Sequence, residues 1–163
     1  TLSSFALPDK ATDISSEALF YIARSKDANV VWYTLNTNKN GVLNLEEPIK
    51  VFWIKPSQGN KNEPLTWIQN KYAYGIKVLN IDPKNKEVCR FQFVSYSRKT
   101  FVLRRTADKQ YKVFTRSDNK EIEVTQIFVQ MDGGSFWVPT ISYVTLEGIE
   151  PHTGKLKTET IIP

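Results

Sequence analysis

Apolar and polar residues alternate along most of positions 18–162, as in Phe91-Gln92-Phe93-Val94, Phe101-Val102-Leu103 and Ile122-Glu123-Val124. Alternation sends successive side chains to opposite faces of a strand, so a chain with this pattern must build sheets. No apolar run approaches the roughly 20 residues that a bilayer-spanning helix needs, and no transmembrane segment is expected. At 163 residues the chain can bury a proper core without covalent staples. The expected organisation is a poorly patterned lead-in over 1–16 and a single antiparallel β domain over 17–163.

Strands are predicted at 18–24, 29–35, 49–55, 76–81, 87–97, 100–106, 110–116, 120–131, 137–147 and about 156–162. Turn signals separate the later ones: Asp82-Pro83-Lys84-Asn85, Arg98-Lys99, Asp108-Lys109, Asp118-Asn119, Asp132-Gly133-Gly134 and Thr153-Gly154. Short connections imply antiparallel neighbours. The period changes once. Pro64 suits the first position of a helix, Leu65, Ile68 and Tyr72 recur at three and four, and Gly75 can stop it. Residues 56–63 read as a loop on composition, and 64–74 as a short helix covering an opening of the sheet. About nine or ten strands in one domain must hide their edges. The fold expected is an all-β meander closing into a barrel or curved-sheet sandwich.

Catalytic residue types are scarce. The chain has one histidine, His152, and one cysteine, Cys89. Most nucleophile–base constellations and soft-metal sites cannot be assembled from such a set, so no enzyme activity and no cofactor are expected. Cys89 alternates with Phe91 and Phe93 and reads as a buried thiol; His152 sits in a turn-like Pro151-His152-Thr153-Gly154. The net charge is +5, yet the 22 basic residues are interleaved with 17 acids rather than gathered in one stripe. Nucleic acid is therefore not an expected partner.

Two patterns carry candidate chemistry. Asn36, Asn38, Asn40, Gly41 and Glu47 match the spacing of a calcium-binding loop, with glycine at position six and glutamate at twelve. Asparagine stands where the first ligand is expected to be aspartate, and only Glu47 would bring charge to a metal. Either the loop holds a cation weakly, or it is a hairpin with Lys39-Asn40-Gly41 at its tip. The second pattern comes from register. Tight turns at Arg98-Lys99 and at 107–109 would set Phe93 opposite Arg104 and Arg104 opposite Lys112. One face would then join Arg104 and Lys112 to Phe91, Phe93 and Phe114, a setting for an anionic or amphipathic ligand. The other reading leaves both cations extended into water. Trp137, after Asp132-Gly133-Gly134-Ser135, is the aromatic most suited to exposure and joins the candidate binding set.

Phe20-Tyr21-Ile22-Ala23-Arg24-Ser25-Lys26, the Asn-rich loop before Pro48, Val51-Phe52-Trp53-Ile54, Tyr72-Ala73-Tyr74-Gly75-Ile76 and Phe128-Val129-Gln130 resemble domain-of-unknown-function family 4833, small proteins of Bacteroides-like bacteria. The resemblance implies export behind a signal peptide, to the periplasm or cell surface, and supplies no catalytic residues. A first residue of Thr suits a processed or trimmed chain. The function expected is a non-catalytic exported protein that holds a small anionic or amphipathic ligand in a β cavity. The alternative is a structural or surface-interaction module that binds glycan or protein through exposed aromatics and edge strands.

Overall fold

The alternating segments pair into eleven strands in the computed structural model, which describes residues 18–162 except 26, 27, 41, 56–58, 60, 67, 68, 70, 72, 83, 85–87 and 135–138. They are β1 (Ala18–Arg24), β2 (Val30–Leu35), β3 (Ile49–Lys55), β4 (Lys61–Pro64), β5 (Ile76–Ile81), β6 (Val88–Phe93), β7 (Tyr96–Arg105), β8 (Tyr111–Ser117), β9 (Lys120–Gly134), β10 (Pro139–Ile149) and β11 (Leu156–Ile161). The lead-in expected over 1–16 lies outside the described residues. All eleven belong to one sheet with the path β4-β3-β2-β1-β9-β8-β7-β6-β5, and β10 and β11 branch from β9.

The long strand β9 organises everything else. β10 runs beside it from Glu123 to Gly134. β8 pairs with residues 120–123, and β1 with 126–129. A strand has only two edges, so β8 and β1 share the edge opposite β10. Two four-stranded wings, β1–β4 and β8–β5, therefore spring from one side of one strand. Each wing turns one apolar face toward the other, which curls the sheet into a half-barrel. The first wing also buries its second face, where Tyr21, Ala23, Val30, Trp32 and Ile54 form a separate cluster. The core between the wings contains Phe20, Val31, Tyr33 and Trp53 from the first wing and Cys89, Phe91, Phe93, Phe101 and Leu103 from the second. Tyr33 stacks on Phe20 at 4.5 Å, and Phe93 meets both rings edge-on. Each fully buried Phe, Leu or Val contributes about 1.5–3 kcal/mol, so this layer dominates the stability.

A bulge makes the sharing possible. Along β9 the buried residues are Ile122 and Val124, then Ile127 and Val129. The alternation changes phase at Thr125, which has no partner: Gly148 pairs with Val124, and Glu147 with Gln126. The extra residue re-aims the strand between its two wings. The Thr125 hydroxyl donates to the Glu147 carbonyl and steadies the irregularity.

Three expectations are corrected here. The sheet is not purely antiparallel, because β1 and β9 run parallel. Hairpin logic covers only strands joined by short loops, and these two are far apart in the chain. Residues 61–64, read as loop and helix start, form β4 beside β3, with Pro64 opposite Phe52. The helix expected at 64–74 is reduced, among the described residues, to helical backbone at Gln69 and Lys71. Its start is Thr66: the Thr66 hydroxyl accepts the Gln69 N–H while the Gln69 side chain accepts the Thr66 N–H, a capping box. The segment does cover an end of the sheet. The Trp53 indole donates to the Gln69 side chain, the Tyr33 hydroxyl to the Tyr74 carbonyl, and the Ser95 hydroxyl to the Ala73 carbonyl, so it bridges both wings.

Candidate binding groove

The outer face of β7, β8 and β9 carries the charges that the core cannot. Arg104 lies opposite Lys112, and Phe114 lies opposite Glu123. Arg104 reaches diagonally across Phe114 and donates from Nη1 and Nη2 to the two carboxylate oxygens of Glu121, both at 2.7 Å. Its guanidinium carbon stands 3.7 Å from the centre of the Phe114 ring. Lys112 takes the other diagonal and pairs with Glu123 at 3.1 Å. Phe114 is 3% exposed although it points away from the core, because these side chains roof it. The hydrogen bonds from Arg104 hold the Glu121 carboxyl below its ordinary range, and the same bonds raise Arg104 further. Glu121 is thereby kept ionised, unsuited to the role of general acid.

Loop residues 105–108 and the turn at 149–154 wall this face into an open groove of about 570 Å³. Three cations (Arg104, Arg105, Lys112) and three carboxylates (Asp108, Glu123, Glu150) line it above Phe114, Ile149 and Pro151. The turn can close down on the sheet because Gly148 lies against β9: a Cβ there would stand 2.4 Å from the Glu123 carbonyl oxygen.

Of the expected binding residues, Arg104, Lys112 and Phe114 share this face. Phe91 and Phe93 do not; they are 0% and 6% exposed, inside the core. The cause is the β6–β7 turn, which falls at Val94-Ser95 and sets Phe93 opposite Tyr96 and Val88 opposite Arg104. The turn expected at Arg98-Lys99 lies within β7, and the odd shift in register sends both rings inward. Trp137 lies outside the described residues. The carboxylates Glu121 and Glu123 were missed, although their alternation with Ile122 and Val124 beside the Asp118-Asn119 turn marks them as outward-facing.

The Asn-rich loop spends its amides on itself. The Asn36 side-chain N–H donates to the Glu47 carbonyl at 2.6 Å, and the Asn38 side-chain oxygen accepts from the backbone of Asn40 and Val42. Asn44 caps the N–H groups of Glu46 and Glu47, and Thr37 bridges Leu43 as in a hairpin. The Asn38 oxygen thus serves the turn itself, as a hairpin tip requires. Among the described residues no three His, Cys, Asp or Glu side chains cluster for a metal. Cys89 is fully buried, and burial pushes its thiol up; His152 is exposed in its turn.

No curated protein and no solved structure matches the chain. A family model matches residues 20–160, and on that ground the chain belongs to the family described as domain of unknown function (DUF4833).

Proposed function

We propose that the protein is a non-catalytic binding module whose partner, a hydroxyl-rich glycan, lies in the groove over Phe114. The observation that carries this reading is the pairing of its cations. Arg104 is bidentate to Glu121, and Lys112 is bound to Glu123. An anion entering the groove would have to break those pairs and then face the freed carboxylates, a cost that disfavours it. Sugar hydroxyls both donate and accept, so they can bond to a cation and its neighbouring carboxylate without separating them. The balance of three cations and three carboxylates over an apolar floor suits a neutral polar ligand. An enclosed cavity is not favoured, since the space between the wings is occupied by packed side chains. Export belongs to the same proposal, as it would set the groove among envelope and extracellular glycans; fractionation of cells making the full precursor tests it.

The direct test is an amide NMR titration with neutral malto-, cello- and galacto-oligosaccharides, alongside sugar phosphates. Shifts are expected at 104–108, 112–114 and 149–154. The double variant Lys112→Gln, Glu123→Gln is expected to weaken binding by about fivefold or more with the fold intact. Shifts given by phosphates alone, or by no saccharide, sink the proposal.

A further inference from the structure

The path of the sheet ends in β4 on one side and β5 on the other. Among the described residues β4 pairs only with β3, and β5 only with β6. β4 spans only residues 52–55 of β3, so among the described residues the first half of β3 is also unpaired on that edge. Between these edges lies a cleft of about 320 Å³, distinct from the outer groove. Its walls include Val51, Leu65, Ile76 and Val78, which are partly buried and packed on the core, so among the described residues the apolar interior reaches the surface here. Glu46 and Glu47 stand exposed at its mouth, with their backbone N–H groups fixed by Asn44. Neither carboxylate makes an ion pair among the described residues, in a chain of net charge +5 whose other acids often find partners.

We infer that this cleft receives an extended basic segment of a partner protein, which adds as a strand to the open edge of β5, places an aliphatic side chain between β3 and β5, and sets a flanking Lys or Arg against Glu46 and Glu47. An open edge supplies backbone donors and acceptors that need a partner, and the alternating side chains of an added strand would reach the apolar walls and the acidic rim in turn. The unpaired carboxylates select the sign of the segment. Nothing in this depends on the glycan reading.

The probes are a synthetic nonapeptide alternating Lys and Val, its Glu–Val counterpart, and hexylammonium, which offers the same cation and alkyl group without a backbone. The Lys–Val peptide is expected to shift amides at 49–51, 65 and 76–78. Glu46→Gln with Glu47→Gln is expected to weaken it by about tenfold, with the fold intact because both side chains are exposed. The inference is overturned if the Glu–Val peptide binds equally well, if hexylammonium alone binds, or if the double variant binds as the wild type does. It is also overturned if no probe binds, or if sedimentation shows a second copy of the chain occupying the edge. Saccharide titration of the same double variant is expected to be unchanged, which separates failure here from failure of the groove.

Discussion

Gly148 holds its place through the absence of a side chain. A Cβ at this position would collide with the backbone of Glu123 rather than with a flexible side chain, so β9 or β10 would have to move. Gly148→Ala is expected to cost about 1–3 kcal/mol in urea denaturation, and an unchanged midpoint would show that the two strands slide freely. Glu121 makes a second residue-scale expectation. Its folded carboxyl is depressed, chiefly by the hydrogen bonds from Arg104. A depressed folded value contributes stability that is present above the unfolded carboxylate range, about pH 4.3, and is lost as pH falls through the folded value. The side chains are 33% and 38% exposed, so solvent screens the pair and the effect is small. Arg104→Ala is expected to flatten the acid limb of the stability curve below about pH 5. An equally steep limb in the variant would assign the acid sensitivity elsewhere.

Among the elements, β9 depends most on one inserted residue. Deleting Thr125 would leave Ile122, Val124, Ile127 and Val129 in one unbroken alternation, all still inward, but would remove the bulge that re-aims β9 between its pairing with β8 and its pairing with β1. The expected result is a folded protein that is less stable by about 1–3 kcal/mol in urea denaturation followed by circular dichroism, and an unchanged midpoint would show that the two wings do not need the bend. The phase change was legible in the sequence as apolar residues at 122 and 124, then 127 and 129, but alternation alone does not say which neighbours the two phases serve. Turns were legible where they carried turn chemistry. Asp118 and Asn119 both have positive φ, as a two-residue hairpin turn requires. Val94-Ser95 lacks Gly, Pro, Asn and Asp, and so the turn was placed at the more polar Arg98-Lys99. That one displacement moved Phe91 and Phe93 to the wrong face, while the neighbouring β7–β8 turn kept Arg104 opposite Lys112. Thr66 and Gln69 did carry a capping signal, but Pro64 drew the helix start two residues early.

At the scale of the molecule, strand content and the packed aromatic core follow from alternation, whereas the architecture does not. The parallel meeting of β1 with β9 rests on no turn and no local signal; it arises because two apolar wings need one another. The stability of the sheet should follow that layout. Backbone amides of β9 and β1 are expected to exchange with deuterium only through global unfolding, while those of β4, β5 and β11 at the margins exchange first. Uniform protection across all strands would contradict a sheet with open margins. The junction also imposes an order in time. Tyr21 bonds to Gln126, 105 residues further along the chain. At about 5–20 residues per second a ribosome takes roughly 5–20 s to supply that partner. Throughout that interval the first wing stands with its inner face uncovered and β1 without the strand it will join, so the nascent chain depends for its solubility on whatever shelters it until β9 emerges.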